Sequence, residues 1–139
     1  MIVYKKTFKF KTKAAQEIFD LSPRLREALV ESGVKEGIAL LFVPGSTAGV
    51  TTIEFEPGAL ADLRRAISRL APEGERYEHD NRWGDGNGFS HVRAALMGPS
   101  IAIPISGGTA LNGTWQQPVL CDFDNKPRER ELIITILGE

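Results

Sequence analysis

The chain has 139 residues, a common size for one domain and enough to bury a core without a disulfide or a structural metal. Hydrophobic residues make up 42% and charged residues 25%, and the net charge of −1 lacks the basic surplus expected of a general nucleic-acid binder. Residues 1–13 alternate lysine with apolar residues, and no apolar run is long enough to span a bilayer, so neither a signal peptide nor a membrane segment is expected.

Residues 2–10 alternate, with Ile2, Tyr4, Phe8 and Phe10 on one face and Lys5, Thr7 and Lys9 on the other, which predicts a half-buried strand. A short strand is predicted over 16–21. Ser22-Pro23 then reads as a helix start, Leu25, Ala28 and Leu29 as its apolar face, and Gly33 as its stop. The apolar run 38–43 and the β-branched run 50–55 are predicted strands. Pro57 opens a second helix with Leu60, Leu63, Ile67 and Leu70 on one stripe, and Pro72 ends it. Residues 73–88 show no periodicity. A short helix is predicted over 90–97, and strands over 100–105, 114–123 and 131–137, with Pro104 at a strand edge or bulge and 124–127 as a turn. The single cysteine, Cys121, falls in a predicted strand as a small buried hydrophobe, which fits a reducing, cytoplasmic setting. Strands dominate and most connections are too short for parallel crossovers. The expected fold is therefore α+β, a mainly antiparallel sheet or sandwich with two main helices, in one domain spanning 1–139.

Three segments carry candidate chemistry. Residues 77–91 hold both histidines, His79 and His91, with Asp85, Asn87 and three alternating glycines. If this loop folds back, imidazole and oxygen donors converge in a set that suits zinc or another divalent cation; the alternative is a glycine-rich turn with hydrogen-bonded histidines. Residues 44–49 offer Ser46, Thr47 and backbone N–H groups, which make either an anion nest or a hairpin turn. Glu54 is either an inward carboxylate or a solvated one. In the third segment, Thr114, Trp115 and Gln116 could hold a planar heterocycle, or Trp115 could be a core residue. Arg128 and Arg130 could clamp a phosphate or lie on the surface. Several motifs are excluded: the 44–49 loop lacks a P-loop lysine, Gly84, Gly86 and Gly88 do not have dinucleotide-binding spacing, and Asp85-Gly86-Asn87-Gly88 lacks the closing glutamate of an EF-hand.

Together the segments resemble the YjbQ family, also labelled secondary thiamine-phosphate synthases. The matching words are Pro44-x-x-Thr47-Ala48 with Glu54, Tyr77-x-His79, Asp85-Gly86-Asn87-Gly88-x-Ser90-His91, Gly98-x-Ser100 with Ile103-Pro104, Gly113-Thr114-Trp115-Gln116, and Phe123-Asp124 with Pro127-Arg128-x-Arg130. The resemblance implies a small α+β fold assembled as a homotrimer. It also implies a histidine-rich polar site near a subunit interface that sometimes holds a metal, and a weak joining of a pyrimidine diphosphate to a thiazole phosphate. His79 and His91 would hold the metal, zinc or magnesium. His79, Asp85 and His91 would act as acid, base or cation ligands. Ser46, Thr47, Glu54, Asn87, Thr114, Trp115, Gln116, Arg128 and Arg130 would bind substrate. The chain departs from the family at Gly45 and Phe89, where many relatives carry histidine. The competing expectations are a non-catalytic trimeric module for a small anionic metabolite or a protein partner, and a metal-assisted hydrolase.

Overall fold

The computed structural model describes all residues, 1–139. Its elements are β1 (Ile2–Lys11), β2 (Ile18–Asp20), α1 (Ser22–Ser32), β3 (Gly37–Phe42), β4 (Ala48–Ile53), α2 (Pro57–Leu70), α3 (Glu78–Trp83), α4 (Gly88–Met97), β5 (Ser100–Ser106), β6 (Thr109–Ala110), β7 (Gln117–Asp122) and β8 (Glu129–Gly138). The strands form two antiparallel sheets, ordered β1-β8-β3-β5-β6 and β2-β7-β4. The fold is α+β, as expected.

Side-chain alternation explains the layering. Leu132, Ile134 and Ile136 of β8 and Ala39 and Leu41 of β3 point into one core, where they meet Ala48, Val50 and Leu120 of the smaller sheet and Leu25, Ala28 and Leu29 of α1. The other face of the smaller sheet presents Val119 and Cys121, followed by Phe123, to Leu63 and Ile67 of α2 and to Ala94 and Met97 of α4. Burial pushes the Cys121 thiol up to about 12, so it carries almost no thiolate near neutral pH. The outer face of the larger sheet has no helix over it. Val3, Leu137, Ile38 and Pro104 fall in register across four strands on that side, and Val3, Leu137 and Ile38 are exposed.

Local chemistry sets the helix ends. Asp20 accepts a hydrogen bond from the Ser22 N–H at 2.9 Å, so Ser22 is the first helical residue rather than the cap, and Gly33 closes α1 in the left-handed region at φ 69°. The Glu56 carboxylate accepts from the Gly58 and Ala59 N–H groups, capping α2. At the far end of α2 the Ala71 carbonyl accepts from Nε of Arg93 at 2.9 Å. Arg93 is almost fully buried and has no carboxylate in contact. Its guanidinium lies over the Phe89 ring and donates to Gln16, so the C-terminal end of α2 and an aromatic face stand in for a counter-ion.

Two expectations need correction. The predicted strand 114–123 begins only at Gln117, because Thr114 and Trp115 form a turn in which the Gln116 N–H donates to the Gly113 carbonyl. Residues 78–83 are helical although they carry no apolar stripe. None of the six residues of α3 is buried, so the helix leaves no periodic signature.

Candidate functional site

A cleft of about 600 Å³ opens between the 44–47 loop, α3 with the turn that follows it, the start of α4, and the 124–130 segment. It gathers Ser46, Thr47, His79, Asp85, Asn87, His91, Arg128 and Arg130, together with Gly45, Trp83 and Asp124. The other expected residues lie elsewhere. Glu54 is exposed just past β4. Thr114 borders a groove beside α1, and Gln116 lies by the edge of β5, where its Nε2 donates to Thr52 Oγ1 at 3.3 Å. Trp115 is 73% exposed, neither in the core nor in the cleft.

One wall comes from residues 77–91. Gly84 and Gly86 adopt φ 71° and 67°, conformations that side-chain-bearing residues rarely take. The chain thereby doubles back and brings Asp85 beside His79. Nδ1 of His79 lies 3.3 Å from Oδ1 of Asp85 and 3.5 Å from Oδ1 of Asp80. Asp80 Oδ1 also accepts from the Gly88 N–H at 2.9 Å. The ring of His91 lies against that of His79, with centroids 4.3 Å apart and the planes tilted by 42°. Three atoms on this wall are buried without a hydrogen-bond partner: Nδ1 of His79, Oδ1 of Asp85 and Oδ1 of Asn87. All three can accept, and buried acceptors normally have partners.

These residues fit a divalent cation. The donor atoms of His79, Asp80 and Asp85 lie within 4.8 Å of one another. Two donors each about 2.1 Å from one zinc ion, at angles between octahedral and tetrahedral, stand roughly 3.0–3.4 Å apart. The 3.3 and 3.5 Å separations are close to that range. One imidazole with two carboxylates suits zinc better than magnesium, which prefers oxygen alone. The tight donor set is His79 with Asp80 and Asp85. His91, expected beside His79 as a ligand, stands next to the set rather than in it.

The opposite wall is built differently. Arg130 is buried, and its Nε and Nη2 donate to Oδ1 of Asp122 at 3.1 and 2.7 Å. Nη2 also donates to Thr47 Oγ1 at 2.6 Å. Thr47 Oγ1 in turn donates to Oδ2 of Asp124 at 2.9 Å, so the Thr47 hydroxyl is engaged internally and is not free for a ligand. Asp124 is 1% exposed. Burial acts to raise its carboxyl, but hydrogen bonds from Arg128, Thr47, the Asn125 backbone and Asn87 outweigh that and hold it below the usual carboxylate range. Unspent donors remain. Nη1 of Arg130 makes no hydrogen bond within the chain, and a Cβ at Gly45 would lie 3.0 Å from it, so the missing side chain at 45 leaves room for the guanidinium. Arg128 uses Nε on Asp124 at 2.8 Å and leaves its Nη groups free. The Ser46 and Thr47 N–H groups bond to no backbone carbonyl.

Sequence reasoning missed Asp80, Trp83, Asp122 and Asp124 as parts of this site. Asp80 and Trp83 sit one and four residues beyond His79, and α3 brings them to the same cleft. Asp122 and Asp124 alternate with the core-facing residues of β7 and its extension, a spacing that could have marked them as partners for Arg128 and Arg130. Phe89 is turned away from the cleft and buried beneath Arg93.

The sequence model of the family described as "UPF0047 protein YjbQ-like" matches residues 6–139. The UPF0047 protein MJ1081 of Methanocaldococcus jannaschii is 37% identical over 142 residues, covering 100% of this chain and 99% of that protein. The UPF0047 protein YugU of Bacillus subtilis is 32% identical, over 96% of this chain and 98% of that one. Among solved structures, a YbjQ-like protein of unknown function from Sulfolobus solfataricus superposes with a TM-score of 0.93 at 30% identity, covering 99% of this chain and 98% of its own. A hypothetical protein from Aeropyrum pernix K1 superposes at 0.90 with 31% identity, over 97% and 98%. With the family model matching nearly end to end, the chain belongs to the YjbQ, or UPF0047, family.

Proposed function

We propose that the cleft holds a phosphorylated small molecule between a divalent cation and two arginines, and that the chain is a weak thiamine-phosphate synthase-like transferase. One observation carries this reading: buried acceptors without partners on one wall face unspent donors on the other. In the reaction, the bond between the pyrimidine methylene carbon and the diphosphate oxygen breaks. The thiazole nitrogen lone pair forms the new C–N bond, and diphosphate leaves. Negative charge therefore builds on the leaving group, where fixed donors help most. Arg130 is held by Asp122 and Thr47 so that Nη1 faces the cleft, and Arg128 and the Ser46 hydroxyl and N–H stand beside it. A divalent cation at His79, Asp80 and Asp85 would supply further charge neutralisation when bound. His91, which lies against the His79 ring outside the donor set, would pass a proton to a diphosphate oxygen.

The test is formation of thiamine phosphate from the two phosphorylated precursors, with and without zinc or magnesium. The expected result is slow, metal-dependent turnover that falls by about 10²-fold or more in His91→Ala. Equal rates in wild type and His91→Ala would remove His91 from the chemistry. No turnover in either would favour the second reading, a non-catalytic module for an anionic metabolite. That reading draws on Gly45 and Phe89, since neither position brings an imidazole to the cleft.

The assembly we propose is a homotrimer. Its number comes from the family resemblance. Its surface is the open face of the larger sheet, where Ile38, Leu40, Leu137 and Val3 are exposed. Thr114, Trp115 and Gln116 lie outside the cleft of their own chain, and in the trimer a neighbouring copy would bring them towards it. Light scattering at micromolar concentration should give three times the chain mass. A monomer would end the proposal, and Ile38→Lys with Leu40→Lys should dissociate the trimer.

A further inference from the structure

Trp83 is the only large apolar side chain lining an otherwise polar cleft, and it is 68% exposed. Leaving an indole in water forgoes the burial that usually justifies such a residue. Its place follows from α3: Trp83 lies four residues after His79, so the two project from the same side of the helix, with the indole one turn beyond the cation donors. Arg82 approaches the ring at 5.7 Å from its centroid. Across the cleft lie the free donors of Arg128 and Arg130.

We propose that Trp83 is the stacking platform for the ring of a phosphorylated aromatic heterocycle whose phosphate end lies on Arg128 and Arg130. This rests on the reading of the cleft as a phosphate site and adds the ring-binding element. The other tryptophan, Trp115, does not line the cleft of its own chain. An indole face recognises a flat π-system in a way that arginines and carboxylates do not, so Trp83 sets specificity for what the phosphate is attached to.

The two tryptophans make this measurable. In a Trp115→Phe protein all indole emission comes from Trp83. Two probes are titrated by calorimetry and fluorescence at fixed zinc, the ion the donor set suits: inorganic pyrophosphate, which has no ring, and the pyrimidine diphosphate. The expected result is that both bind, that only the pyrimidine diphosphate quenches Trp83 by contact, and that it binds more tightly. Trp83→Ala should weaken the pyrimidine diphosphate by roughly 10- to 100-fold while pyrophosphate changes less than about 2-fold, and Trp83→Phe should recover most of the loss. Because Trp83 is exposed, these variants should keep their circular dichroism and melting temperature. Equal affinity for the two probes, or no effect of Trp83→Ala on the pyrimidine ligand while pyrophosphate still binds, would overturn the platform and leave the phosphate site standing. Failure of both probes to bind would overturn the phosphate site and the platform with it.

Discussion

The two walls of the cleft contrast in how far their polar groups are satisfied. On the arginine wall, Arg130, Asp122, Thr47, Asp124 and Arg128 form one network in which Oδ2 of Asp122 is the single buried acceptor without a partner. On the histidine wall, Nδ1 of His79 and Oδ1 of Asp85, 3.3 Å apart, and Oδ1 of Asn87 are buried without a hydrogen bond. The first wall is part of the fold: its residues grow from β7, β8 and the loop before β4, the same strands that make the core. The second is a short helix with no buried residue of its own, the glycine-rich turn after it, and the start of α4, joined by the Asp80 carboxylate accepting from the Gly88 N–H. The difference separates what stabilises the chain from what is set up for a ligand, and mutations should sort along the same line.

The largest effect should come from Arg130→Ala. It strands the buried Asp122 carboxylate, and breaking such a pair typically costs about 3–5 kcal/mol. Denaturant unfolding measures it, and a loss below about 1 kcal/mol would break the claim that this wall belongs to the core. Asp124→Asn should follow, at about 1.5–3 kcal/mol, the usual value for hydrogen bonds to a charged group. Asp124 also predicts a pH dependence. Its carboxyl is held low in the folded chain, whereas an unfolded aspartate titrates near ~3.9. Its stabilisation is therefore complete above the unfolded value and drains away as pH falls through the lowered folded one. Asp124→Asn should flatten that acid limb, and an unchanged limb would show that other carboxylates govern it.

Much of this architecture was readable in advance. The period-two pattern of residues 2–10, the stripe of Leu60, Leu63 and Ile67, and the Pro57 and Gly33 boundaries each report local geometry that burial then reinforces. The split into two sheets was not readable, because pairing β7 with both β2 and β4 joins residues distant in the chain. In the cleft, His79, Asp85, Asn87 and His91 were legible because rare polar residues crowd one glycine-rich segment. Asp124 was not, because the residue reads as a turn aspartate until Thr47 and Arg128 are brought to it. Trp115 drew attention through its neighbours Thr114 and Gln116, while Trp83 became visible only once α3 was seen to project it beside the cleft.

The smallest stability effects should fall on the histidine wall. Asp85→Ala removes a buried acceptor that has no hydrogen bond, so without metal it should leave stability unchanged or raise it slightly. The same substitution should reduce the rise in melting temperature on adding zinc. His91→Ala should be milder still for metal binding, since His91 lies outside the tight donor set.

The most direct test of the central claim is a zinc titration of metal-free protein against a chromogenic chelator, comparing wild type, Asp85→Ala and Arg128→Ala. The account predicts one zinc per chain in wild type, at least ~10-fold weaker binding in Asp85→Ala, since losing even an outer-shell partner costs about that much and Asp85 is a donor, and unchanged binding in Arg128→Ala. Equal zinc affinity in wild type and Asp85→Ala would contradict it.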